Sequence, residues 1–136
     1  MKISTKGRYA LRMLTDLALH QGDGFVSLTE VAQRQAISKK YLEQIVPMLH
    51  RAGYLQTGRG AQGGYRLKKL PSECTVGEIL RLTEGSLTPV NCVGDPSLCV
   101  RSADCPTLPV WQGLDRVVSD YLDGITLQTI LDQHGA

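Results

Sequence analysis

Apolar residues recur at steps of three and four along most of the chain, which is the spacing of an amphipathic helix. Six segments share this pattern, and their residue numbers are 4–21, 27–35, 38–52, 74–85, 108–125 and 126–134. A serine stands at the start of each of the first three segments, where its hydroxyl can cap a helix. Pro47 lies inside the third segment and lacks a backbone donor, so we expect a kink or a break in that helix.

A different pattern follows the third segment. Residues 54–57 and 65–67 form two short alternating stretches, and glycines at positions 58, 60, 63 and 64 lie between them. This arrangement predicts a β-hairpin with a loop longer than a tight turn. Two short helices with a tight break near residues 36–37, followed by a glycine-tipped hairpin, predict a winged helix-turn-helix. The fold class is therefore mainly α with a small β-hairpin wing and a long helix at 108–125.

The formal charge of +2 hides an uneven distribution of charged residues. Residues 1–70 contain 12 lysines and arginines against 4 acids, a balance of +8, whereas residues 71–136 contain 3 against 9, a balance of −6. A basic half joined to an acidic half is typical of a nucleic-acid-binding protein with a second function. We therefore expect residues 1–70 to form a DNA-binding domain and residues 71–136 a helical dimerisation and sensing region. Chance segregation of surface charge is the alternative.

Composition limits the class of protein and the cellular compartment that we expect. The chain has 136 residues, of which 42% are hydrophobic and 21% charged, as in one globular domain. Its apolar runs are too short to cross a membrane. The N-terminus has basic residues but lacks the apolar stretch and cleavage site of a signal peptide. We expect a cytoplasmic protein, whose cysteines are kept reduced.

The start of the third predicted helix has the side chains expected of a helix that enters the major groove. Gln44 can offer a bidentate amide to a base edge. Lys39 and Lys40 can neutralise phosphates, and Tyr41 can donate a hydrogen bond to one. Ser38 stands at the cap, on the same leading turn. A solvated helix start is the alternative interpretation of the paired lysines.

In the predicted wing, Arg59 lies between Gly58 and Gly60. Because neither neighbour has a side chain, the arginine can approach a narrow minor groove. A solvated loop cation is the alternative. Winged helices also mediate protein contacts, so the basic charge of residues 1–70 is what favours DNA.

Three of the four cysteines, Cys92, Cys99 and Cys105, lie close together in a stretch that also contains glycine, proline and aspartate. Six and then five residues separate them. Zinc sites usually pair cysteines at two to four residues, and the C-x-x-C spacing of redox pairs is absent. The wide spacing suits a loop around an iron–sulfur cluster, although a thiol sensor stays open. The fourth, Cys74, is predicted to be a small buried residue near a helix start.

The predicted helix at 108–125 has a broad apolar stripe. Its members are Leu108, Trp111, Leu114, Val118, Leu122 and Ile125. The stripe is wider than one domain of this size needs to cover, which predicts a homodimer. Packing of the stripe within one chain is the alternative.

Four motifs and the cysteine segment together resemble the IscR-type regulators, a group that includes IscR, NsrR and CymR. The motifs are MKISTKGRYALRML at 1–14, ISKKYLEQIVPMLHRAGYL at 37–55, RGAQGGYRL at 59–67 and TVGEILRLTEG at 75–85. The likeness covers nearly the whole chain. It implies a dimeric winged-helix transcription factor that binds double-stranded operator DNA.

The resemblance also implies roles for single residues. Ser38, Tyr41, Gln44 and Arg59 match positions that contact operator DNA. Glu43 matches a position linked to discrimination between operators, where an acid repels unfavourable sequences. Many members carry an iron–sulfur cluster, here expected as 2Fe–2S, on three cysteines that match Cys92, Cys99 and Cys105.

The chain departs from the family at the fourth cluster ligand. Leu108 stands where a histidine is common, and Arg8 stands where other members place an acid supplied by the partner subunit. An oxygen ligand from Asp95 or Asp104 could complete the site, and so could a histidine of the dimer. The histidines are His20, His50 and His134. Two further alternatives are a cluster with an open iron position and a cluster-free regulator like CymR that also binds a partner protein.

Enzymatic activity is not expected. A thiol enzyme needs a cysteine whose pKa is lowered by a nearby base. The cysteine segment offers Arg101 but no nearby histidine. The predicted function is a homodimeric transcriptional regulator whose operator binding is modulated by an iron–sulfur cluster.

Overall fold

The computed structural model describes residues 2–61, 63–95, 97 and 103–135. These residues form seven helices, listed in chain order as α1 (Thr5–His20), α2 (Leu28–Gln35), α3 (Lys39–Arg51), α4 (Val76–Glu84), α5 (Asn91–Gly94), α6 (Leu108–Asp123) and α7 (Leu127–Gln133). A two-stranded antiparallel hairpin joins β1 (Leu55–Gly58) to β2 (Gly64–Leu67). The mainly helical fold class with its hairpin wing is confirmed, and the six predicted helices are present. The short α5 was not predicted.

Side-chain caps begin the first three helices, as the serine positions predict. Each serine hydroxyl accepts a hydrogen bond from the backbone N–H three residues later, at Ser4–Gly7, Ser27–Glu30 and Ser38–Tyr41. The turn between α2 and α3 is tight because Ala36 adopts a left-handed conformation, with φ of 53°. Local chemistry therefore sets where the helix-turn-helix begins and turns.

Of the kink or break expected at Pro47, the break is absent, because α3 is one helix across this residue, and the kink stays a prediction. Pro47 is exposed. Its ring therefore costs one backbone hydrogen bond on the solvent side of the helix. The opposite side carries the buried residues Leu42, Ile45 and Leu49, and their burial keeps the helix continuous.

A single main core joins residues from both sides of residue 70. It includes Leu14 of α1, Leu42 of α3 and Leu55 of β1, together with Ile79 of α4 and Leu127 of α7. The chain returns to this core through a short bridge. The Val76 N–H donates to the Ile125 carbonyl at 2.8 Å and the Leu127 N–H donates to the Cys74 carbonyl at 2.9 Å. The division into residues 1–70 and 71–136 by function stays a prediction.

Helix α6 has sixteen residues, and none of them is buried in the single chain. Its exposed large apolar side chains are Val110, Trp111, Leu114, Val117 and Tyr121. Of these, only Trp111 and Leu114 belong to the predicted stripe. The stripe members Leu122 and Ile125 pack against a cluster in the same chain. None of the helices in the described ranges combines the length and apolar character that a membrane crossing requires.

Candidate nucleic-acid interface and cysteine segment

The first turn of α3 presents most of the predicted DNA-binding side chains to solvent. Ser38, Lys39 and Lys40 are exposed at its start. Glu43 and Gln44 are exposed about one turn later. The buried side chains of the same helix lie on its other face. The amphipathic pattern of α3 therefore keeps these polar groups available to a ligand.

Tyr41 is half-buried because it contacts a second tyrosine, Tyr9 of α1. The ring centroids are 5.4 Å apart and the planes meet at 80°, an edge-to-face arrangement. The Arg12 guanidinium lies 5.3 Å from the centroid of the Tyr9 ring. Arg12 also donates to the Gln35 side-chain oxygen at 3.1 Å and to the Gln35 carbonyl. Helix α1 thus holds both the end of α2 and the start of α3.

A buried carboxylate also holds α2 on α1. Asp16 of α1 is fully buried and accepts three hydrogen bonds from Arg34, at 2.8, 3.0 and 3.3 Å, and one from Gln35 at 2.9 Å. Burial by itself would raise the pKa of Asp16. The hydrogen bonds from Arg34 and Gln35 outweigh that effect and lower the pKa. Asp16 is therefore charged at neutral pH and fixes the angle of α2 on α1.

The wing is anchored on Phe25, which the sequence analysis missed. A Cβ placed on Gly58 would stand 2.7 Å from the Phe25 ring, so only glycine fits there. The Arg66 guanidinium lies 5.8 Å from the centroid of the same ring and donates to the Asp23 carbonyl at 2.9 Å. Arg59 is exposed at the end of β1. The contacts around Phe25 hold the two strands of the wing on the segment before α2.

The cysteine segment is described only in part. Cys92 lies in α5 and Cys105 lies just before α6, and both are half-buried. Cys99 and Arg101 lie outside the described residues. Within the described ranges, no group of three or more histidines, cysteines or acids is close enough to hold a metal ion. The Cys105 Sγ lies 3.2 Å from the Thr107 Oγ1.

The positions discussed as fourth ligands are spread over the fold. Leu108 is the first residue of α6 and is half-buried. Arg8 is exposed on α1 and donates to Thr5 at 3.2 Å. The Asp95 carboxylate accepts hydrogen bonds from the Ser97 hydroxyl and backbone, which lower its pKa.

Asp104 is exposed and lines an opening together with Cys105 at the start of α6. The three histidines lie at the C-terminal ends of three different helices, His20 at α1, His50 at α3 and His134 at α7. Among the residues discussed as fourth ligands, Asp104 is the one that lines the same opening as Cys105.

Cys74 is fully buried, which confirms the prediction made for it. Its Sγ donates to the Leu70 carbonyl at 3.4 Å. Burial raises the pKa of this thiol to about 11. Cys74 is therefore a protonated core residue at neutral pH and not a nucleophile.

Comparison with known proteins gives a consistent family. Residues 3–133 match the model of the Rrf2 family, described as an iron-dependent transcriptional regulator. The chain is 39% identical over 130 residues to the transcriptional regulator CymR of Bacillus subtilis, covering 96% of this chain and 89% of that protein. It is 38% identical over 131 residues to IscR of Aliivibrio salmonicida, covering 96% and 77%.

Solved structures agree with the sequence relatives. The structure of T. potens IscR has a TM-score of 0.80 and 39% identity, covering 98% of this chain and 88% of that chain. The structure of CymR, the global cysteine regulator of B. subtilis, has a TM-score of 0.82 and 38% identity, covering 98% of both chains. These regulators are named for transcription control and not for an enzymatic activity, and the resemblance to the IscR-type group is confirmed. With its winged helix, basic first half and full-length similarity, the chain belongs to the Rrf2 family of transcriptional regulators.

Proposed function

We propose that the chain acts in the cytoplasm as a homodimer that reads operator DNA through the start of α3 and the wing. The observation that carries this proposal is the exposed polar face at the start of α3, where Tyr9 packs against Tyr41. In this proposal Gln44 reads a base edge, while Lys39, Lys40 and Tyr41 bind phosphates and Ser38 caps the helix. Glu43 disfavours unsuitable operators, and Arg59 enters the minor groove.

The exposed stripe of α6 supports pairing with a second copy. Val110, Leu114, Val117 and Tyr121 follow steps of four, three and four, which is the spacing of a seam between two helices. Val117 is 65% exposed and Tyr121 is 68% exposed in the single chain. Such a surface is costly to leave in water. A dimer would present two copies of α3 to half-sites about one helical turn apart on the duplex.

Alanine at Gln44 or at Arg59 is expected to weaken operator binding about tenfold or more, because each removes a contact to a base or a narrow groove. Fluorescence anisotropy with operator duplex across a salt series measures both affinity and salt dependence. Gln133→Ala and Arg116→Ala are matched controls on exposed parts of α7 and α6. If Gln44→Ala and Arg59→Ala both bind operator as strongly as wild type, the proposed reading surface is contradicted. At saturation, we expect two chains per operator.

We further propose that Cys92, Cys99 and Cys105 hold an iron–sulfur cluster, of the 2Fe–2S type. Thiolates are the donors that such clusters use. Cys92 and Cys105 are half-buried at the two ends of the segment, as ligands of a partly shielded group would be. Leu108 is apolar and Arg8 is a cation, so neither can complete the ligand set. The carboxylate of Asp104, beside Cys105 at the opening, has the right chemistry. A bound cluster would supply sensitivity to oxidants or to nitric oxide.

A cluster-free regulator that also binds a partner protein is the second candidate. The observation that favours it is Leu108, a residue that cannot act as a ligand, in a chain with a TM-score of 0.82 to CymR. The cysteine segment would then act through its thiols or not at all. Operator reading through α3 and the wing would be unchanged.

Anaerobic purification distinguishes the two candidates. We expect a coloured protein with equal amounts of iron and acid-labile sulfide, and loss of both in Cys92→Ser and Cys105→Ser. Cys74→Ala is the matched control, because Cys74 lies in the core and should leave the absorption unchanged. A colourless wild-type protein without iron would favour the cluster-free candidate and leave DNA binding standing.

A further inference from the structure

We infer that the start of α1 forms a second surface for DNA phosphates, centred on Lys6 and Lys2 and continuous with α3. This inference rests on the proposed function, because it extends the reading surface to a further element. Residues 2–12 carry Lys2, Lys6, Arg8 and Arg12 and no acid. The next charged residue is Asp16, which is buried and already bonded to Arg34.

Lys6 is half-buried and lies about 60° from the side of α1 that touches the recognition helix. Tyr9 touches Tyr41 in the first turn of α3. Successive residues of an α-helix are rotated by about 100°, so Lys6 and Arg12 lie about 60° to either side of Tyr9. Arg8 is rotated about 100° from Tyr9, so it does not belong to this surface. Lys2 is exposed in the segment that leads into α1.

Among the described residues, Lys2 and Lys6 have no acidic partner, unlike Arg34 and Arg81. In the described part of the chain, neither lysine side chain forms a hydrogen bond or an ion pair. Arg34 is paired with Asp16 at 2.8 Å, and Arg81 is paired with Asp123 at 2.6 Å. Arg12 is engaged with Gln35 and Tyr9.

An acid does approach the start of α1, but on another side of the helix. Glu84 accepts hydrogen bonds from the backbone and hydroxyl of Ser4. Gly7 packs on the same helix α4, beside Thr83 and Leu80. Gly7 is rotated about 160° from Tyr9, so α4 and its acid lie away from the side that faces Tyr41. Glu84 therefore does not offset the charge of Lys6 on the side of α1 that faces Tyr41.

The partner that fits is the sugar–phosphate backbone of the duplex already bound by α3. A continuous cationic surface favours a polyanion, and lysine binds phosphate as a point charge without reading sequence. Tyr41 and Tyr9 would lie between the base-reading residues of α3 and this row. The two lysines should therefore add affinity equally for operator and for unrelated DNA.

The test is the salt dependence of binding by the full-length protein. In Lys6→Gln the slope of log affinity against log salt should become less negative by about 0.9, and in Lys2→Gln/Lys6→Gln by up to about twice that. Between 50 and 200 mM salt, each lost contact then reduces the fall in affinity about 3.5-fold relative to wild type. Operator and unrelated duplexes should show the same change. Arg116→Gln removes one exposed charge from α6 and should leave the slope unchanged.

An unchanged slope in the double variant would overturn the inference. So would a loss confined to the operator, because it would indicate that Lys6 acts by positioning Tyr41. The variants Gln44→Ala and Arg59→Ala, titrated in parallel, separate this failure from failure of the proposed function. If they weaken operator binding while the lysine variants do not, α3 and the wing read DNA without α1.

Discussion

Alanine at Gly64 should lower the free energy of unfolding by at least about 2 kcal/mol and weaken operator binding, although it adds one methyl group. Gly64 has a φ of +147°, which side chains rarely adopt. A Cβ there would overlap the Val26 carbonyl oxygen and stand 2.5 Å from the Val26 carbonyl carbon. That carbonyl accepts a hydrogen bond from the Tyr65 N–H at 2.8 Å, so moving it breaks the bridge at the base of the wing.

Two other glycines provide controls of graded severity. Gly60 has a φ of +87° but nothing within 4 Å of an added Cβ, so Gly60→Ala should cost only about 1 kcal/mol. Gly24 has ordinary backbone angles and its nearest neighbour is 3.8 Å away, so Gly24→Ala should be close to neutral. Urea unfolding of the three glycine variants measures the order of their stabilities. Equal stability of the Gly64 and Gly60 variants would show that the overlap with Val26 is relieved without cost.

Asparagine at Asp16 should lower the free energy of unfolding by about 3 kcal/mol at pH 7. The change keeps the size of the side chain but removes the charge that holds Arg34 and Gln35. Arg34 keeps an exposure of 33% and a contact with Glu30 at 3.6 Å, so water and that acid limit the loss. Asp23→Asn changes an exposed acid on a nearby turn and should be nearly neutral.

The pH dependence of that difference tests the same carboxylate. The pKa of Asp16 is lowered in the folded state, so its contribution is complete above the unfolded value of 3.8 and is lost as pH falls below it. The gap between wild type and Asp16→Asn should therefore narrow from pH 5 towards pH 3. A gap that is constant over this range would mean that Asp16 contributes through hydrogen bonds that do not depend on its charge.

Features that depend on neighbours in sequence could be predicted, whereas features that depend on folding could not. The serine caps and apolar stripes are local, so the helices and the hairpin were found from them. The break expected at Pro47 was wrong because burial on the opposite face of α3 outweighs one lost hydrogen bond.

The candidate site shows the same limit. The polar residues on α3 and Arg59 could be proposed from residue type and position. Tyr9, Arg12 and Phe25 could not, because their partners are more than twenty residues away in sequence and no spacing rule links them. The cysteine spacing indicates a site. The spacing of residues within one chain cannot, however, identify a ligand that a second chain supplies.

The packing of α7 against α1 bears on how this protein is made. Leu127, near the end of the chain, is fully buried in the core that contains Leu14 and Leu42. During synthesis, the winged helix therefore emerges from the ribosome long before the residues that close its core. Until residues 127–131 have been released, the part of α1 that α7 covers is exposed to chaperones and proteases. Closure of this core is thus a late event, and messages truncated before α7 should yield chains that are degraded.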